Sequence, residues 1–250
     1  MHAHHARMQY GPDPSQTADL LLPLDGNLRL VCLLHGGFWR LPHGRDQLQP
    51  MAEDLHERGF GVLNIGYRRL GQPGVGWQQM LEDVHAALAC LARIAQSQPA
   101  VDPHNVILAG HSAGGMLALA GARAERLPVG IGLRGAVALA GITDLVAAHE
   151  QNLGRGAVAS LMNGTPAERP REYSQASPLQ LLPLGLPVIL LHGSEDDAVP
   201  LEHSIHFANA AREAGDSVQL ITLPEVGHMD FLEPGSAAYE AFVAALITLE

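Results

Sequence analysis

The sequence predicts an α/β fold, a mostly parallel central sheet with helices on both faces. Short apolar runs of strand length alternate with longer segments of helical period along most of the chain. The length, 250 residues, suits one α/β domain. Hydrophobic residues make up 47% of the chain against 16% charged, which supports a large core and argues against disorder. No linker long enough to separate a pair of cores is visible, so residues 1–250 are read as a single domain.

The first 14 residues carry no long apolar run and read as a flexible tail, with His2, His4 and His5 belonging to that tail rather than to a metal site. Thr17 to Leu22 and Leu28 to Leu34 read as strands. Asp25-Gly26-Asn27 between them is a hairpin turn signal, so these two strands are expected to pair antiparallel at the front of the sheet. A helical segment follows near Asp46 to Arg58, with Gly59 in the C-cap place, and then the strand Phe60 to Ile65. Trp77 to Ala95 places Met80, Leu81, Val84, Ala87, Leu88 and Leu91 on one helical face.

Val106 to Ala109 is a short buried strand, and Ala113 to Arg126 a helix rich in Ala and Leu. Ala136 to Ala140, Val188 to Leu191 and Val218 to Leu223 complete the strands, with helices near Leu201 to Ala214 and Ala237 to Leu249. This repeated strand–helix–strand order calls for parallel crossovers. Thr143 to Pro183 fits no single element and contains Pro166, Pro170, Pro178 and Pro183. It is too long for a simple connection, so residues 143–183 are expected to form a small excursion beside a pocket at the sheet's C-terminal edge.

The net charge of −11 speaks against nucleic acid, because phosphate binding needs Lys and Arg. Cys32 and Cys90 each sit in an apolar stretch and read as buried thiols rather than a disulfide. No stretch reaches the roughly 18 apolar residues of a membrane span, and no signal peptide is visible. A soluble cytoplasmic protein is expected, without membrane partners. The last helix is able to cover its own sheet or another subunit, which leaves a homodimer open.

Four segments carry chemistry. Gly110-His111-Ser112-Ala113-Gly114 fits the G-x-S-x-G elbow, with an apolar strand before it and a helix after it. Small residues two places before and after Ser112 allow the sharp turn that exposes Oγ above a helix N-terminus. His35-Gly36-Gly37-Phe38-Trp39 follows a strand, and consecutive glycines there let backbone N–H groups approach an oxyanion. Gly37 and Phe38 are the candidate donors, with Ala113 as the residue after the nucleophile. Phe38 and Trp39 are candidate pocket walls, Trp39 being equally readable as a packed anchor.

The third segment, His192 to Pro200, follows a strand and offers Glu195, Asp196 and Asp197. Spacing alone does not choose among these acids. The fourth, Gly227-His228-Met229-Asp230, lies between the last strand and the last helix. Position singles out His228 among 14 histidines, since serine, acid and histidine in that order match one known arrangement of a hydrolytic triad. Glu225 and Asp230 share its loop and read as loop or pocket-edge residues. His111 and Met229 are further candidates for the substrate pocket, and no persuasive metal-ligand spacing is found in the folded part.

Together the four segments resemble the α/β-hydrolase superfamily over nearly the whole chain. Within it, HGGFW is similar to the H-G-G-x-W oxyanion loop of kynurenine formamidase (arylformamidase) and related small esterases. Tyr67-Arg68 after a strand, Asp144-Leu145 after Gly141, and Ser177-Pro178 before the acid strand are similar to pieces of bacterial esterases and hormone-sensitive-lipase relatives. The resemblance implies an α/β-hydrolase fold with a small or minimal cap. The family's acid loop, H-G-x-x-D-x-x-V-P, places the acid at Asp196 and the Val-Pro pair at Val199 and Pro200.

The implied catalytic set is Ser112, Asp196 and His228, with an oxyanion hole from the amides of Gly37, Phe38 and Ala113. There are departures. Phe38 stands where the lipase relatives carry a third glycine, Gly66 stands where they often have Asp before Tyr-Arg, and the N-terminal segment is short for a lipid-binding cap. The implied function is a serine carboxylesterase cleaving short-chain or aryl esters through an acyl-enzyme, with no metal or organic cofactor. An arylformamidase acting on N-formylkynurenine-like anilides is the alternative, and a small peptidase or a non-catalytic binding module are the remaining readings.

Overall fold

The structure is a computed structural model that describes residues 4–23, 30–98 and 101–249. Its strands are β1 (His4–Gln9), β2 (Thr17–Leu22), β3 (Leu30–Leu34), β4 (Gly61–Ile65), β5 (Val106–His111), β6 (Leu133–Leu139), β7 (Val188–Gly193) and β8 (Val218–Leu223). They form one sheet in the order β1-β2-β4-β3-β5-β6-β7-β8. The pairs β1–β2 and β2–β4 are antiparallel, and all later pairs are parallel. The helices are α1 (Gln49–Glu57), α2 (Trp77–Ala95), α3 (Ala113–Gly121), α4 (Leu145–Glu150), α5 (Ala157–Met162), α6 (Pro170–Ala176), α7 (Glu202–Glu213) and α8 (Ala237–Thr248). This is the α/β-hydrolase fold.

Both faces of the sheet are covered, so the central strands are continuous apolar runs rather than alternating ones. Every residue of β3, β4, β5 and β7 is buried. The period of two still sorts them. Leu30, Cys32 and Leu34 join one core with Leu88, Met116 and Phe207, while Val31 and Leu33 join a second core with Leu55, Phe242 and Leu246. Helices α2, α3 and α7 therefore cover one face, and α1 and α8 the other.

The front of the sheet corrects two expectations. β2 does not pair with β3. It runs antiparallel to β4, and β3 lies between β4 and β5 as a parallel strand. Leu30–Leu34 is buried along its whole length and belongs at the sheet's centre, whereas β2, with Thr17 and Asp19 only partly buried, lies one strand in from the edge. The turn signal Asp25-Gly26-Asn27 lies outside the described residues.

The second correction concerns the expected tail. Residues 4–9 form the edge strand β1, in register from His4 opposite Leu22 to Gln9 opposite Thr17. Arg7 Nε donates to Asp19 Oδ1 at 2.7 Å, and the Tyr10 hydroxyl donates to the Gly66 carbonyl. Cross-strand pairing supplies what the local sequence, HARMQ after His4, does not advertise. Of the cysteines, Cys32 is buried and Cys90 only half-buried, and both are free thiols.

Residues 143–183 run between β6 and β7 and hold α4, α5, α6 and a 3-10 turn at Pro178–Leu181. Their ends are pinned by polar contacts. Thr143 Oγ1 donates to His203 O at 2.6 Å, Asp144 caps α4 by accepting from Val146 N at 2.9 Å, and Ser177 Oγ accepts from Leu145 N at 3.1 Å. Among the described residues no helix is long and apolar enough to cross a membrane, and no group of three or more His, Cys, Asp or Glu is placed to hold a metal ion.

Candidate active site

Ser112 sits between β5 and α3 with φ 54° and ψ −118°, a backbone region that a side chain rarely adopts. The turn is over-determined by its neighbours. Ser112 N donates to Leu139 O at 2.8 Å, and Gly115 N donates to Ser112 O at 2.9 Å. A Cβ on Gly110 would stand 2.1 Å from Gly114 O, and one on Gly114 would stand 2.1 Å from Leu34 O. Two glycines are thus required by close approach of backbone to backbone.

The loop after β3 reaches the same point. A Cβ on Gly36 would stand 3.2 Å from Ser112 Cβ. Gly37, Phe38 and Trp39 have φ of 98°, 47° and 59°, three left-handed residues in succession. Among the described residues the amides of Gly37 and Phe38 donate to no carbonyl. Ala113 opens α3, where an amide has no partner in the preceding turn. Trp39 is fully buried, and its Nε1–H donates to Ala113 O at 3.1 Å. Trp39 is therefore an anchor tying the loop to α3 and not a pocket wall, because a ring without exposed surface offers none to a ligand.

The acid and the histidine meet directly. His228 Nδ1–H donates to Asp196 Oδ2 at 2.7 Å. Asp196 Oδ1 accepts from Ala198 N at 2.9 Å and Val199 N at 2.8 Å. Burial alone would raise this carboxyl. Hydrogen bonds from His192 and His228, with the Val199 amide, outweigh it and hold Asp196 well below the usual carboxylate range. Glu195 and Asp197 point to solvent, and Asp230 stays on its own loop, accepting from Gly227 N at 2.8 Å.

His111 is also buried, which corrects its reading as a pocket residue. Its Nε2–H donates to the carbonyl of His228 at 2.9 Å, and the two rings lie 4.6 Å apart. Burial, then the neighbouring His228, hold His111 down at about 3, so it is neutral. It fastens the loop of His228 to the elbow of Ser112. Ser112 Oγ itself makes no hydrogen bond among the described residues, His228 included. Such bonds are often long without substrate and tighten when it binds. Met229, beside His228, is half exposed at the site's rim.

The BD-FAE family profile matches residues 19–211, a span that runs from within β2 to within α7 and takes in the elbow and the acid loop. The chain belongs to the BD-FAE family. Esterase LipC of Mycobacterium tuberculosis is 29% identical over 98% of this chain and 64% of its own length. A probable isoprenylcysteine alpha-carbonyl methylesterase of Oryza sativa is 25% identical over 88% of this chain and 57% of its own. The chain thus spans less than two thirds of the length of these curated relatives. Among solved structures, Esterase B of Lactobacillus rhamnosis superposes with a TM-score of 0.84 at 20% identity, covering 99% of this chain and 85% of its own.

In this BD-FAE chain, sequence reading missed the residues that support the site from behind. Tyr67 stacks on His35 with ring centroids 4.2 Å apart, and its hydroxyl donates to His35 O at 2.7 Å. Arg68 is tied to buried Asp83 by a 2.7 Å ion pair. His192 and Ser204 lie behind Asp196. Tyr67-Arg68 stood in the motif, but nothing in one sequence showed what it touches.

Proposed function

We propose that this chain is a serine carboxylesterase that cleaves short-chain or aryl esters through an acyl-enzyme, with Ser112 as nucleophile, His228 as base and Asp196 as orienting acid. The 2.7 Å bond from His228 Nδ1 to Asp196 Oδ2 carries the reading. It puts the ring proton on Nδ1 and leaves a lone pair on Nε2. That nitrogen takes the Ser112 proton as Oγ attacks the ester carbonyl, and Asp196 stabilises the imidazolium that forms. The amides of Gly37, Phe38 and Ala113 receive the oxyanion; losing one such donor typically costs about a hundredfold or more in rate. The imidazolium then protonates the leaving alcohol, and water cleaves the acyl-enzyme with the same base.

The strained backbone at Ser112 and the esterase names of the relatives support this reading. The Phe38 ring lies against Gly154 beside the oxyanion loop. The test is hydrolysis of p-nitrophenyl acetate and of N-formylkynurenine by the wild type and by Ser112→Ala. Turnover of the acetate by the wild type, abolished in the variant, is expected. A Ser112→Ala variant as active as the wild type would overturn the serine mechanism, and a strong preference for N-formylkynurenine would replace the ester reading by a formamidase.

A further inference from the structure

His192, next to last in β7, is a fully buried imidazole. Burying an imidazole costs free energy that Leu or Val at a strand's end would not. No step of the mechanism above uses it. Its surroundings define a role. Nε2 lies 2.9 Å from the Val199 carbonyl and 3.3 Å from Asp196 Oδ2. Both are acceptors only, so Nε2 carries the proton. Nδ1 is then a lone pair, 2.8 Å from Ser204 Oγ on α7, and the serine hydroxyl donates to it.

We propose that His192, locked in its Nε2–H tautomer by Ser204, is a positioning residue that aims Asp196 at His228 and moderates the charge His228 sees. The inference rests on the triad reading above. Val199 is held from two sides, since its amide donates to Asp196 Oδ1 at 2.8 Å and its carbonyl accepts from His192. The turn that presents the carboxylate is thereby fixed. The ring Nε2, whose N–H is directed at Val199 O, also lies 3.3 Å from Oδ2, the oxygen that accepts from His228 Nδ1. The shorter bond, to His228, keeps the acid's direction, while the longer contact withdraws charge from the same atom. With Nε2 unprotonated, a lone pair would face both Val199 O and the carboxylate. Ser204 prevents that arrangement.

Two consequences separate this role from mere packing. Without the His192 donor, Oδ2 carries more charge toward His228, and the imidazolium is easier to form. The acid limb of kcat/KM, which reports the base in the free enzyme, then moves to higher pH. And Ser204 acts only through His192, so its loss adds nothing once the ring donor is gone.

The experiment compares the wild type with His192→Phe, His192→Gln, Ser204→Ala and the His192→Phe/Ser204→Ala pair on p-nitrophenyl acetate, with Ser112→Ala and Asp196→Asn as controls. Phe keeps the ring without a donor, and the Gln amide reaches the place of ring Nε2. We expect His192→Phe to lose about tenfold in kcat with little change in KM, because an acid no longer held in line misaims the imidazole by more than its raised basicity repays. Its acid limb should rise by about half a pH unit. His192→Gln should recover most of both, Ser204→Ala should show a smaller change of the same sign, and the double variant should match His192→Phe. Wild-type kcat and acid limb in His192→Phe, no recovery in His192→Gln, or multiplying losses in the double variant would each overturn the proposal. If His192→Phe does not fold, Ser204→Ala decides: an unaltered kcat and limb there overturns it. Full activity in Ser112→Ala or Asp196→Asn would instead sink the triad reading itself.

Discussion

At the scale of single residues, Glu195, Asp196 and Asp197 are three adjacent acids with different surroundings. Asp196 accepts two amides, from Ala198 and Val199, in the manner of an Asx turn. That turn swings its other oxygen toward His228 and leaves both neighbours in solvent. Asp196→Asn should therefore reduce kcat about a thousandfold or more, as in triads whose acid is neutralised. Glu195→Gln and Asp197→Asn should leave it near wild type, and a large loss in either would move the acid to that position. Composition and spacing could not make this choice, because the turn is a matter of backbone direction. The elbow was more legible. A glycine two residues either side of Ser112 is a steric requirement, seen here as 2.1 Å approaches that no Cβ survives.

At the scale of elements, the excursion 143–183 matters through its contacts with the oxyanion loop around Gly154. Arg40 Nη1 donates to Gly154 O at 2.7 Å and Nη2 to Arg155 O at 3.3 Å. A Cβ on Gly154 would meet Phe38 Cδ1 at 2.5 Å, at a residue that already has φ of 62°. Gly154→Ala should displace the Phe38 ring and, with it, the amide expected to hold the oxyanion. A fall in kcat of about tenfold or more is expected. Arg40→Met should instead loosen the segment 151–156, read as faster proteolysis there and a raised KM. Unchanged kinetics in both variants would show that the excursion does not bear on the site. The sequence marked this excursion by its length and prolines, yet its docking point was hidden, since Arg40 lies 114 residues from Gly154. Strand pairing failed for the same reason. A local turn signal favoured β2 beside β3, but the fully buried β3 lies at the sheet's centre, between the parallel strands β4 and β5.

At the scale of the whole molecule, the polar groups behind the site make stability depend on pH. Burial is the first cause that lowers His35 and His111 to about 3 and His203 to about 4. In the unfolded chain each titrates near 6.5. Between those values the unfolded state binds more protons than the folded one, so acid favours unfolding. Each histidine adds a slope of up to about 1.4 kcal/mol per pH unit, beginning below pH 6.5 and continuing toward 4 and then 3. Asp196, whose folded carboxyl is held low, acts in the same direction but only below the unfolded carboxylate range near 3.9. Urea midpoints at pH 7.5, 6 and 5 should therefore fall steadily, well before carboxylates titrate. Replacing His203 by Gln, which removes one buried imidazole but keeps a polar partner for Gln151, should flatten the slope without abolishing it. A midpoint constant from pH 7.5 to 5 would mean that these imidazoles accept protons in the folded state as readily as in the unfolded one.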